Sequence, residues 1–141
     1  MTYIDTQQSI TIEGVEQSVI LDYFTSINQE EFTRTAALFA EEGELQAPFE
    51  KPIIGRSAIA SYLSQEAAGM KLLPQAGTVT QAEAVTEINV TGKTKTVLFT
   101  VNVGWYFTLN TKEKITKVRI KLLASPQELL GLRNIKNAAN T

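Results

Sequence analysis

Two aromatic residues with polar tips carry the chemistry that this sequence offers. Tyr23 falls within Val19, Ile20, Tyr23, Phe24 and Ile27, a three- and four-residue recurrence that makes one apolar helical stripe. Trp105, the single tryptophan, sits in Val103-Gly104-Trp105-Tyr106-Phe107. Strand alternation puts Val103, Trp105 and Phe107 on one face and Tyr106 on the other. A phenol and an indole on apolar faces can each donate a hydrogen bond without bringing charge into the interior. On residue type alone the plainer reading is favoured: both are core residues whose tips find backbone acceptors.

Other constellations are weaker. The chain has no histidine and no cysteine. It therefore lacks the commonest general base, a Ser-His-Asp triad, thiolate metal sites and a cysteine nucleophile. Glu41, Glu42 and Glu44 cluster, but no partnered ligand spacing accompanies them, and they read as a solvated helix end and turn. Glu83 and Glu87 lie in a weakly patterned connector. Lys117, Arg119 and Lys121 alternate on one strand, as on the wet face of a sheet or a guarded edge. Neither a Walker sequence nor a dinucleotide fingerprint occurs. A net charge of -2 offers no basic excess for nucleic acid.

The elements that must position Tyr23 and Trp105 divide the chain into a helical first half and a strand-rich second half. Residues 1–14 read as an N-terminal arm, 15–133 as one domain and 134–141 as a polar tail. A first helix carries the Tyr23 stripe. A second is expected over Glu30–Ala40, closed at Gly43 by a left-handed cap. Glu44–Ala47 makes a short strand ended by Pro48, and Pro48–Gly55 a loop. A third helix begins at Ser57 with the stripe Ile59, Tyr62, Leu63, Ala67 and Met70. Leu72-Leu73, Thr78–Thr80, Glu87–Thr91, Thr94–Asn110 and Ile115–Ala124 are strand-like, with turns at Gly92-Lys93 and Asn110–Glu113. Ser125-Pro126-Gln127-Glu128 opens a last short helix with a capping box. Helices followed by strands predict an α+β fold, with helices packed on a curved antiparallel sheet enclosing a cavity. With 141 residues, the size is that of one domain. The first ten residues make no secretory signal, and no apolar run approaches the about 18 residues that span a bilayer. A cytoplasmic protein is expected.

The run Asn28–Pro48 resembles the nuclear transport factor 2-like superfamily. More specific stretches are PFEKPIIGRSAIASYL (Pro48–Leu63), MKLLPQAG (Met70–Gly77), INVTGKTKT (Ile88–Thr96) and LLASPQELLGLR (Leu122–Arg133). Together, and in order from about Ile12 to Arg133, they resemble the C-terminal domain of the cyanobacterial orange carotenoid protein. The resemblance implies a C-terminal domain homologue with the nuclear transport factor 2-like cone. Such a protein is a keto-carotenoid carrier for canthaxanthin, echinenone or 3'-hydroxyechinenone. It also implies roles for residues. Tyr23 and Trp105 correspond to the pair that donates to the ring keto oxygen, and Leu63, Ala67, Met70, Leu72, Leu98 and Ile120 correspond to the apolar lining. The implied partners are a second copy in a homodimer and a helical carotenoid protein as acceptor, with transient contact at the thylakoid surface. Because a carotenoid is longer than a single domain of this size, the second copy is expected to join through the outer face of the sheet. The implied tasks are carotenoid delivery and singlet oxygen quenching in photoprotection.

Three departures from the family pattern stand out. Leu98-Phe99-Thr100 replaces a frequent Trp-Phe-Gly, no cysteine is present near Ala67, and Lys121 stands where the photoprotective protein has an acid.

An apolar rod ending in a carbonyl requires a greasy tunnel and one or two neutral donors, with no base and no metal. The alternative is an enzyme resembling ketosteroid isomerase, which also places a tyrosine donor on the first helix. Its general base, an aspartate before a proline, falls on Ala47, and its second oxyanion donor has no counterpart near Val103–Trp105. A protein-binding module is the third class.

Overall fold

A computed structural model describes residues 10–123 of the chain. Within them three helices, α1 (Ser18–Asn28), α2 (Phe32–Ala37) and α3 (Arg56–Glu66), accompany β1 (Phe39–Gln46), β2 (Ile53–Ile54), β3 (Lys71–Ala82), β4 (Val85–Lys95), β5 (Thr100–Leu109) and β6 (Ile115–Leu123). The last helix expected from Ser125, and the tail 134–141, lie outside the described residues. So does most of the arm 1–14. Its described end is tied to the sheet: Gly77 N–H donates to Glu13 O at 2.8 Å, and Glu13 N–H to Gln75 O at 3.1 Å.

The strands form one six-stranded curved sheet in the order β2-β1-β6-β5-β4-β3. Every pair is antiparallel except β1 and β6, which run parallel. The sheet is thus mixed where a wholly antiparallel one was expected. The parallel pairing places the C-terminal end of β1 beside the middle of β6, with Gln46 opposite Arg119.

The apolar stripe of α1 packs on one face of this sheet. Val19, Ile20, Tyr23, Phe24 and Ile27 are all buried, as are Val103, Trp105 and Phe107 on β5. Burial of these side chains supplies the main driving force for docking the helix. The basic row Lys117, Arg119 and Lys121 is exposed on the other face of β6.

Local expectations fail at two glycines. The second helix is only Phe32–Ala37, because Glu30 adopts a left-handed φ of 60° and the chain is already extended at Phe39. Phe39, wholly buried, pairs with Ile115 on β6. Glu41-Glu42-Gly43 is therefore strand, with a register shift between Phe39 and Glu44 rather than a helix cap. Gly43 is required for close approach: a Cβ there would lie 2.7 Å from the Ile115 carbonyl oxygen. Gly92 likewise makes no turn. It sits within β4, opposite Pro74 on one side and Val103 on the other, and a side chain would collide with the Leu73 carbonyl. The chain reverses instead at residues 96–99, so Thr94–Asn110 is not one strand. The turn at Asn110–Glu113 forms as expected, with Asn110 Oδ1 accepting from the Lys112 and Lys114 amides at 2.9 and 3.0 Å.

Candidate ligand cavity

Between α1, α3 and the concave face of the sheet lies a cavity of about 260 Å³. Helix α1 supplies Tyr23 and Ile27, and α3 with its exit supplies Tyr62, Leu63, Glu66, Ala67 and Met70. The sheet supplies Leu45, Leu72, Thr94, Val101, Val103, Trp105, Ile120 and Leu122, while Ala47, Pro48, Thr96 and Phe99 come from connecting segments. Apolar side chains dominate the wall, as in pockets that hold greasy ligands.

Both polar-tipped aromatics reach this cavity, and both are about 1% exposed. Their rings are locked by edge-on packing. Tyr23 meets Phe107 at 5.0 Å between centroids and Phe24 at 5.2 Å, while Phe24 meets Trp105 at 4.7 Å, each near 86° or 85°. Such T-shaped pairs add to the area term and hold side-chain orientation. Among the described residues, neither the Tyr23 hydroxyl nor the Trp105 indole N–H has a protein hydrogen-bond partner. A buried donor left unmatched costs about 1–3 kcal/mol. Burial pushes the Tyr23 phenol above its ordinary value of 10.0, keeping it a neutral donor.

The wall is braced from outside. Asn28 holds the first residues of β3, and Tyr62 donates to Glu50 Oε1 at 2.9 Å, tying the loop after Pro48 to α3. Burial, then the Glu50 partner, raises the Tyr62 phenol. Glu66 is the carboxylate on the lining, and Ala47, where an isomerase base would stand, carries no acid–base group. Among the described residues no group of three or more histidine, cysteine or acidic side chains could hold a metal.

Of the residues singled out from sequence, the structure brings Tyr23, Leu63, Ala67, Met70, Leu72, Trp105 and Ile120 onto this one cavity. Leu98 does not join them. It is 84% exposed in the turn between β4 and β5, and its neighbour Phe99 lines the wall instead. Alternation contains the answer: counting back by twos from Trp105 gives Val103, Val101 and Phe99, so Leu98 has the wrong parity. Thr94 and Thr96 likewise continue, by twos, the inward face of Ile88 and Val90 on β4, whereas Ala47 and Pro48 carry no such signal, because their place depends on how the sheet curves around the helices.

No family model matches the chain. It is 43% identical over 128 residues to the orange carotenoid-binding protein of Limnospira maxima, covering 87% of this chain and 40% of that protein. Against the orange carotenoid-binding protein of Synechocystis sp. the identity is 40% over 131 residues, covering 89% and 41%. The chain thus spans about two fifths of the length of these curated relatives. The solved orange carotenoid protein of Anabaena (Nostoc), binding canthaxanthin, superposes with a TM-score of 0.81 at 39% identity, over 93% of this chain and 44% of that one. At the level of fold alone, a ketosteroid isomerase-like protein of Erwinia carotovora superposes with a TM-score of 0.61 at 10% identity, over 77% of this chain and 94% of that one. The chain is a homologue of the C-terminal domain of the orange carotenoid-binding proteins, built on the nuclear transport factor 2-like fold.

Proposed function

We propose that this chain binds a keto-carotenoid, with one end ring in the cavity and its keto oxygen accepting hydrogen bonds from Tyr23 and Trp105. The observation that carries the reading is the pair of buried donors, unmatched among the described residues, on a wall otherwise made of apolar side chains. A conjugated ketone satisfies both features, since its carbonyl fills the donors and its polyene fills the greasy space. Canthaxanthin, echinenone and 3'-hydroxyechinenone each present such an end. The chain's relatives are carotenoid-binding by name, which supports the same ligand class.

The ligand outruns a cavity of about 260 Å³, so most of its polyene must find cover elsewhere. A second copy of the chain, or a helical carotenoid protein accepting the pigment, supplies that cover. The protein therefore acts as a carrier that stores and delivers the pigment in the cytoplasm, and the bound polyene quenches singlet oxygen. Catalysis is not part of this reading, because a lone donor pair without a base has no means of moving a proton.

Expression in a bacterial host that makes canthaxanthin tests it. The protein should purify coloured, with a visible band red-shifted from the free pigment. Colourless protein from that host, at normal yield and fold, overturns the proposal.

A further inference from the structure

A further buried hydroxyl faces the cavity. Thr94 lies on β4 between Leu72 of β3 and Val101 of β5, lines the cavity wall and is 8% exposed. Among the described residues its hydroxyl has no hydrogen-bond partner. Other polar side chains of the wall are provided for. The Tyr62 hydroxyl donates to Glu50, Thr96 Oγ1 serves the turn that follows β4, and Glu66 is exposed. Valine would fill the same shape on a strand with no hydroxyl to satisfy, so Thr94 is costly unless a ligand meets it.

The place of Thr94 relative to the donor pair defines a length. Val90 is opposite Trp105 and Thr94 opposite Val101, so Thr94 stands four residues along β4 from the Trp105 row. At the rise of a strand this is about 13 Å. A keto oxygen held by Tyr23 and Trp105 therefore has a second polar station well down the sheet. A full-length carotenoid presents only conjugated hydrocarbon there and covers the Thr94 hydroxyl without meeting it. A keto-retinoid is different, because its ring ketone and the oxygen at the cut end of its chain are separated by a comparable span. The cavity volume points the same way. About 260 Å³ is small beside the about 300–1,000 Å³ of ordinary ligand pockets, and suits a ring with a short chain.

We propose that the cavity of a single copy also takes a keto-apocarotenoid of retinoid length, with its ring ketone on Tyr23 and Trp105 and its chain-end alcohol or aldehyde on Thr94. The inference rests on the reading that the donor pair holds a keto ring. It extends that reading from a pigment that needs outside cover to a shorter one that a lone copy can hold.

The probe is 4-oxoretinol, whose alcohol end forms no imine with lysine, and quenching of Trp105, the single tryptophan, reports its binding. A deoxy analogue keeps the ring ketone and the chain but ends in a methyl group. The parent protein should bind 4-oxoretinol about 2- to 13-fold more tightly than this analogue, the preference one neutral hydrogen bond provides. Thr94→Val should abolish the preference, with a circular dichroism melt checking the fold, and Thr94→Ser should keep it. Sedimentation should give the 4-oxoretinol complex the mass of the unloaded chain. Thr94→Val should also raise retention of canthaxanthin, because the polyene no longer covers an unmatched hydroxyl.

Absence of quenching by 4-oxoretinol, or equal binding of probe and analogue by the parent, overturns the inference. So does a preference that survives in Thr94→Val, or a complex that forms only as a dimer. Colour from a canthaxanthin-producing host without binding of 4-oxoretinol leaves the carrier reading and removes this one. Binding of 4-oxoretinol with the expected preference, but no colour from that host, condemns the full-length pigment and leaves the short ligand standing.

Discussion

Asn28 and Leu72 exchange two hydrogen bonds across 44 residues of sequence. Asn28 Nδ2 donates to Leu72 O at 2.9 Å, and Leu72 N–H donates to Asn28 Oδ1 at 2.7 Å. The side-chain amide thus imitates a neighbouring strand at the start of β3, the edge strand of the sheet among the described residues. Lys71 Nζ adds a bond to Asn28 O at 2.9 Å, and Gly69 N–H donates to Glu30 Oε2 at 2.8 Å. The C-terminal end of α1 is therefore clamped to the segment that delivers Met70 and Leu72 to the cavity.

Asn28→Ala should destabilise the fold by about 1–3 kcal/mol, since the backbone N–H and C=O of largely buried Leu72 both lose their partner. Urea unfolding measures it. Retention of pigment should fall as well, because Leu72 loses its fixed position on the wall. An unchanged midpoint and unchanged retention would show that water replaces the amide at no cost.

Gly77→Ala should destabilise the fold by about 1–3 kcal/mol through overpacking. A Cβ at this position meets Asn89 O at 2.5 Å and Val15 Cγ2 at 2.8 Å, and the first of these is strand backbone that cannot move aside. Gly69→Ala is the contrasting case. Its φ of 85° disfavours a side chain, but nothing lies within 4 Å of the added atom. Its cost should stay near the about 1–2 kcal/mol of a left-handed residue. Thermal melts of the two variants side by side distinguish steric from conformational cost.

The legibility of this fold in its sequence follows the range of the forces involved. The stripe of α1 and the inward face of β5 are dictated by periodicity within a few residues, and both appear where the pattern puts them. Asn110–Glu113 is legible for the same reason, since its side chain caps its own turn. Gly43 and Gly92 mislead because glycine serves two purposes, left-handed turns and close approach, and only the packed neighbour decides between them. The strand at Phe39 is set by Ile115, far along the chain, overriding a locally helical spacing. The aromatic donors could be named from residue type and resemblance. That Asn28 braces their cavity depends on a contact no local pattern records.

Tyr23 gives the protein a defined response to alkali. Burial raises its phenol above the ordinary value of 10.0, so the folded state holds the proton where the unfolded chain releases it. The contribution to stability is full below the unfolded value and shrinks as pH rises through and beyond it. Colour and Tm of the loaded protein should accordingly stay level from neutrality to about one unit below the ordinary phenol value, then fall together. Tyr23→Phe should weaken the Tyr23 part of that alkaline decline. A visible band that shifts gradually below that range, with Tm unchanged, would mean that the phenol ionises in the folded state.

The donor pair yields the sharpest expectation. Each neutral hydrogen bond to a keto oxygen is worth about 0.5–1.5 kcal/mol net, so Tyr23→Phe should weaken carotenoid retention about 2- to 13-fold. The change deletes one oxygen and keeps the ring that packs on Phe24 and Phe107 at 5.2 and 5.0 Å. Trp105→Phe should cost more, since it removes the indole N–H together with part of a ring wholly buried against Phe24. Colour should respond more strongly than affinity, because donors at the carbonyl polarise the conjugated chain and favour the red-shifted band. The double variant should hold little pigment, and the residual band should lie near that of pigment in apolar solvent. Absorption spectra of the three variants, purified from one canthaxanthin-producing host, make the comparison. A double variant with parental colour and retention would reduce Tyr23 and Trp105 to core aromatics and place the ligand's carbonyl elsewhere.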